Sequence, residues 1–165
     1  MRLFIAISLP LFLIDYLREL QKHMSSSFQK TTHLHVTLKF LGEVTPENTN
    51  LVIERLSTIH FKSFDLTLHD IGVFPSAKYP RIIWVGVKPA EPILHLQQLI
   101  ESRLSDLFES EQHFHPHITV ARTKEKTFAH SIKPHSFTVS GFDLIQSGPQ
   151  PGKYTVLQRF PSKDL

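Results

Sequence analysis

The chain has 165 residues, 41% of them hydrophobic and 20% charged, which excludes a disordered, collagen-like or membrane-spanning chain and predicts one soluble globular domain with its own core. Lys and Arg exceed Asp and Glu by 18 − 15 = 3, a balance compatible with an anionic ligand and too weak for a broad nucleic-acid-coating surface. The absence of cysteine excludes a disulfide framework, a thiolate metal site and a cysteine nucleophile, which leaves the 11 histidines to be sorted by position.

Residues 2–9 predict a buried strand, broken at Pro10. The apolar stretch from Leu3 to Ile14 superficially resembles a secretory leader. Asp15, Arg18 and Glu19 follow it without a small-residue cleavage site, and Leu13, Leu17, Leu20 and Met24 recur at helical spacing. The expected element is therefore a helix over 11–29, and with neither leader nor span the expected location is the cytoplasm. A strand follows over 34–42. Thr45 before Pro46 is an N-cap with proline at the first helical position, and Val52, Leu56 and Ile59 give the helix over 46–59 a buried stripe. Strands over 62–74 and 81–88 precede a helix over 91–109 carrying Ile93, Leu96, Ile100, Leu104 and Leu107. Strands over 117–123, 136–147 and 153–160 complete the series, with a turn cluster over 147–152. The class is α+β, with helices on mostly antiparallel sheets.

The order of elements repeats. Residues 2–10 align with 81–89 at an offset of 79, His35 and Thr37 with His117 and Thr119 at 82, and Ser63, Phe64 and Asp70 with Ser136, Phe137 and Asp143 at 73. Lys78 and Tyr79 resemble Lys153 and Tyr154. The expectation is a single domain over 1–165 built from two copies, about 2–74 and 81–160, as two intimate lobes around a central cleft with pseudo-two-fold symmetry.

Side chains two apart on a strand share a face, so His35 and Thr37 point together, as do His117 and Thr119, while Val36, Leu38, Ile118 and Val120 point into apolar packing. Approximate two-fold packing aims both pairs into one cleft. Two imidazoles and two hydroxyls suit a phosphodiester. A neutral histidine accepts a proton, a charged one donates it, and the hydroxyls donate to the non-bridging oxygens. This scheme needs no metal or other cofactor, and the residues alone do not say which histidine is the acid.

The paired motifs, in the settings Leu34 to Val44 and Phe114 to Arg122, together with the opening from Arg2 to Ile7 and the closing from Lys153 to Leu157, resemble the two-histidine phosphoesterase superfamily. The likeness is closest to its RNA 2',3'-cyclic phosphodiesterases, also called 2'-5' RNA ligases. The resemblance implies a bilobal fold that opens a 2',3'-cyclic phosphate on RNA to a 2'-phosphate, with a weak reverse 2'-5' ligation. It makes His35 the proton donor to the departing 3' oxygen and His117 the proton acceptor that activates water, with Thr37 and Thr119 on the phosphate. Arg122 joins them as a phosphate ligand, although strict alternation from His117 sends it to the opposite face unless the strand bends. His33 stands where the superfamily often has asparagine, and no role is attached to it.

Rival readings are two satisfied sheet-edge histidines and a zinc site built on His33, His35, His113, His115 and His117. Against zinc, His33 and His115 lack matched carboxylates, Pro116 interrupts the second run, and a metal leaves the threonines unexplained. Phe40 alternates with Val36 and Leu38, so core packing is expected over base stacking, which is weighed also for Trp84. Lys153 and Tyr154 are candidates for an RNA rim, Gly42 for a turn, and His23, His60, His69, His95, His130 and His135 for the surface. The expected partner is RNA or a nucleotide with a 2',3'-cyclic phosphate, with no membrane and no obligate protein partner, and nothing requires more than a monomer. Alternative functions are a cyclic phosphodiesterase for a nucleotide or ADP-ribose derivative, and a non-catalytic RNA-binding module, which lacks its basic-Gly-aromatic signature here.

Overall fold

A computed structural model describes residues 1–124 and 126–164. Its elements run β1 (Arg2–Ser8), α1 (Leu11–Lys22), β2 (Gln29–Lys30), β3 (His35–Glu43), α2 (Pro46–Leu56), β4 (Phe64–Pro75), β5 (Pro80–Lys88), α3 (Ala90–Leu104), β6 (His117–Arg122), β7 (Ser136–Val139), β8 (Gly141–Ser147) and β9 (Tyr154–Pro161). The α+β class is as expected. The strands form one sheet in the order β7-β4-β5-β6-β3-β1-β8-β9, with β2 added to β6, and every strand pair is antiparallel.

Alternation sorts the faces. Leu3, Ile5 and Ile7 of β1, Val36 and Leu38 of β3 and Ile118 and Val120 of β6 are buried with Leu13, Leu17 and Leu20 of α1 and the apolar stripes of α2 and α3. Phe4, Ala6 and Ile145 form a small separate cluster. Helices therefore cover one face of the sheet, and the other is left for the site. The Thr45 hydroxyl accepts from the Asn48 amide at 3.2 Å, so the expected cap opens α2 at Pro46. No helix among the described residues is long and apolar enough to cross a membrane.

The sheet consists of two halves joined at the middle. β3 and β6 share the single registered pair Val36↔Ile118, two positions that are also 82 apart in the chain. The pseudo-two-fold axis passes there. Each half borrows from both repeats: β4 of the first pairs with β5 of the second, and β8 of the second with β1 of the first. The one predicted strand over 136–147 is two strands, split at Ser140. β7 pairs with β4 at one end of the path and β8 with β1 near the other. A one-residue link between distant ends of the order requires the sheet to curl until those ends meet.

Register corrects the repeat alignment. Ser8↔His35, Ala6↔Thr37 and Phe4↔Phe40 in one half match Gly86↔His117, Trp84↔Thr119 and Ile82↔Arg122 in the other, so the first strands correspond at an offset of 78 and not 79. Likewise Phe4↔Ile145 and Ile82↔Phe74 place the last strands at 71 and not 73. A slip of one residue exchanges the faces of a strand, and apolar residues on both faces of β1 and β5 concealed it. The expected helix over 11–29 ends at Lys22; residues 23–28 turn, and β2 begins at Gln29.

Candidate active site

Both histidine strands carry a bulge at the same place. On β3 the partners of Ile5 and Ala6 are Lys39 and Thr37, leaving Leu38 extra; on β6 the partners of Ile83 and Trp84 are Ala121 and Thr119, leaving Val120 extra. A bulge resets the alternation. Leu38 and Lys39 are consequently both buried, as are Val120 and Ala121, and position 40 of one strand and 122 of the other return to the face of the histidines. This is the bend that Arg122 required, and it lines a cavity of about 560 Å³ with His35, Thr37 and Thr119.

The same bulge overturns the expectation for Phe40, which is 74% exposed and lines the cavity instead of the core. Phe40 and Arg122 are thus an apolar and a cationic group at equivalent positions, a pairing visible in the 82-residue offset once the bulges are known. Gly42 has φ +72° and sits at a second irregularity of β3, where Leu3 pairs Gly42 and Phe4 pairs Phe40, and not in a turn.

Each histidine is fixed through Nδ1. His35 Nδ1 donates to the His33 carbonyl at 2.9 Å and His117 Nδ1 to the His115 carbonyl at 2.5 Å. A carbonyl only accepts, so Nδ1 carries the hydrogen and the neutral ring presents a lone pair at Nε2. His35 Nε2 then accepts from the Thr37 hydroxyl at 2.9 Å. His33 and His115, two residues before each histidine, play equivalent parts through their main-chain carbonyls. Among the described residues no group of three His, Cys, Asp or Glu side chains is placed to hold a metal ion.

His35 is packed against Phe4 at 5.0 Å between ring centroids and His33 at 4.7 Å. Burial first, then the like charges of His33 and His117, lower its pKa to about 4, against a raising contribution from the His33 carbonyl bond. His117 stands edge-on to Phe74 at 5.1 Å, with Trp84 at 6.1 Å, and burial lowers its pKa as well. It stands outside the lining of the cavity beside His35, on the same β6 face two residues before Thr119. Trp84, half-buried beside His115 and His117, lays its ring across Gly72, where a Cβ would come within 2.0 Å of the indole. Tyr154 lines the cavity and Lys153 does not, though it is exposed. His23, His60, His69, His95 and His130 are exposed and His135 is half-buried.

A curled antiparallel sheet of two related halves, each presenting a histidine and a threonine at the seam, defines a two-histidine phosphoesterase. The model of the LigT-like phosphoesterases matches residues 13–84, which include the first motif. An RNA 2',3'-cyclic phosphodiesterase of Archaeoglobus fulgidus is 33% identical over 131 residues, covering 76% of this chain and 74% of its own. One of Escherichia coli is 34% identical over 137 residues, covering 78% and 75%. The crystal structure of Escherichia coli LigT complexed with 3'-AMP superposes with a TM-score of 0.84 at 31% identity, covering 99% of this chain and 98% of that one. The chain belongs to the LigT-like phosphoesterase family and is a cyclic phosphodiesterase.

Proposed function

We propose that the chain opens 2',3'-cyclic phosphates at RNA ends to leave a 2'-phosphate, by acid and base catalysis from two histidines and without a metal or other cofactor. The observation that carries this reading is the meeting of the two motif strands at Val36↔Ile118, with both imidazoles pinned at Nδ1. The relatives named above support the substrate.

His117 Nε2 takes a proton from water as its oxygen attacks phosphorus. The bond from phosphorus to O3' breaks, and His35 Nε2 gives its proton to O3', leaving a 3'-hydroxyl and a 2'-phosphate. Each transfer contributes roughly 10²- to 10⁴-fold. Thr37 and Thr119 donate to the non-bridging oxygens and Arg122 holds their charge. His35 is neutral in the empty cleft at neutral pH. A bound phosphate raises its proton affinity, and once Nε2 carries a proton the Thr37 hydroxyl is released to donate to the phosphate. Phe40 offers a face to the base. Weak ligation to a 2'-5' bond is the same path with an RNA 5'-hydroxyl in place of water: its oxygen bonds to phosphorus as His117 takes its proton, the bond to O3' breaks, and His35 protonates O3'. A single bilobal domain acting as a cytoplasmic monomer suffices.

The test is a short RNA ending in a 2',3'-cyclic phosphate, incubated in excess chelator. The expected product is the 2'-phosphate, with kcat lowered about 10²-fold or more by His35→Ala or His117→Ala alone. Arg122→Met is expected to raise KM and lower kcat. Full activity in either alanine variant removes that histidine from the mechanism, and loss of activity with chelator favours the metal reading. A cyclic nucleotide cleaved far better than the RNA favours the nucleotide alternative.

A further inference from the structure

The side chain of His33 has no part in the reading above, yet it is built into the wall of the cavity. Its ring stacks on Tyr154 with centroids 4.4 Å apart and 20° between planes, and lies 4.7 Å from the ring of His35. Its Nδ1 is buried without a hydrogen-bond partner among the described residues. The row Tyr154, His33, His35 and Thr37 is therefore continuous.

The charged groups facing this row come from several elements. Arg18 of α1 and Asp143 of β8 act on His33, the first against a proton and the second for it. Asp143 is buried and held by the Ser8 hydroxyl at 2.6 Å and by Arg159 of β9 at 3.3 Å. The charge of His33 and, less strongly, that of His117 of β6 act against a proton on His35. Two imidazolium rings at the His33 to His35 spacing of 4.7 Å, in a wall partly shielded from water, repel each other.

We propose that His33 and His35 titrate as one pair holding a single proton, so that His33 is a positioning residue that sets when His35 becomes charged. On acidification of the empty site the proton settles first on His33, because His35 is the more deeply buried ring, and a charged His33 then opposes a second proton on His35. A phosphate held by Thr37, Thr119 and Arg122 reverses the order and draws the proton to His35 Nε2, beside the leaving oxygen. The functional consequence rests on the acid role given to His35, whereas the coupled titration does not.

The experiment is an NMR titration of the imidazole Cε1–H resonances in the full chain without substrate. His33→Phe keeps an aromatic ring in the stack and removes its charge, and His33→Asn removes both. Each is expected to raise the His35 midpoint by about 0.5 pH unit or more, whereas the charge of His35 does not reach the His33 midpoint, because His33 takes its proton while His35 is still neutral. An His35 midpoint unmoved by either His33 replacement overturns the proposal, as does an unsubstituted chain in which His35 takes its proton before His33. A purely structural His33 lowers Tm and leaves the His35 midpoint in place. Full activity in His35→Ala sinks the acid assignment without touching the titration, so the two failures are distinguishable.

Discussion

At the scale of residues, the site is a contest between burial and the charge it must carry. Burial lowers both His35 and His117 below the ordinary histidine value. A bell-shaped kcat/KM profile is centred midway between the two free-enzyme pKa values, so its maximum is expected on the acid side of pH 6.5, the unperturbed value of both groups. The kcat profile, which reports the complex, is expected to lie at higher pH, because the bound phosphate favours the charged acid. Rates on a 2',3'-cyclic phosphate RNA across pH check both statements, and a kcat/KM maximum above pH 7 contradicts the burial argument. The histidines and threonines were legible in the sequence because both motifs occupy stretches of simple alternation. Alternation alone misplaces Phe40 and Arg122, since each lies just past a bulge and Leu38 and Val120 look like ordinary inward residues; Arg122 was reached only through the family resemblance.

Among the elements, the same bulge has a cost that α3 meets. It turns Lys39 inward until it is 5% exposed. There it pairs with Glu101 of α3 and donates to the Glu109 carbonyl at 2.7 Å, while Glu101 accepts from the Glu111 amide at 3.0 Å. Breaking a buried pair strands one charge and destabilises by roughly 3–5 kcal/mol. Lys39→Met is expected to lower stability by that order in urea unfolding, and Lys39→Met with Glu101→Leu to recover part of it; an unchanged midpoint in the single variant refutes the account. Nothing local in the sequence marks Lys39 as buried. Helix interiors and the cap at Thr45 were legible from periodicity and side-chain chemistry. The tail of the first helix was not, because Met24 and Phe28 are buried after α1 has ended, at apolar spacing that continues the stripe.

For the whole molecule, the duplication was readable and its wiring was not. Periodicity reveals two copies, but which copy a strand joins is decided by pairing between residues far apart in the chain. Since β4 is completed by β5 and β8 by β1, neither repeat contains a finished half. Residues 1–78 and 79–165 expressed separately are each expected to lack a cooperative unfolding transition, and to regain it with activity when mixed. An independently folded fragment, by circular dichroism and thermal melting, contradicts this exchange.

The lone residue Ser140 between β7 and β8 binds the two halves like the spine of a book. Parting them along that edge tears hydrogen bonds from Phe64↔Val139 on one side or Gly141↔Pro161 on the other. The opposite margin, where β6 meets β3 and β2, is fastened by Val36↔Ile118, Gln29↔Arg122 and Lys30↔Ala121. Strain on that spine therefore falls on β4 and β9 together, two strands or more from the seam where the reacting groups sit.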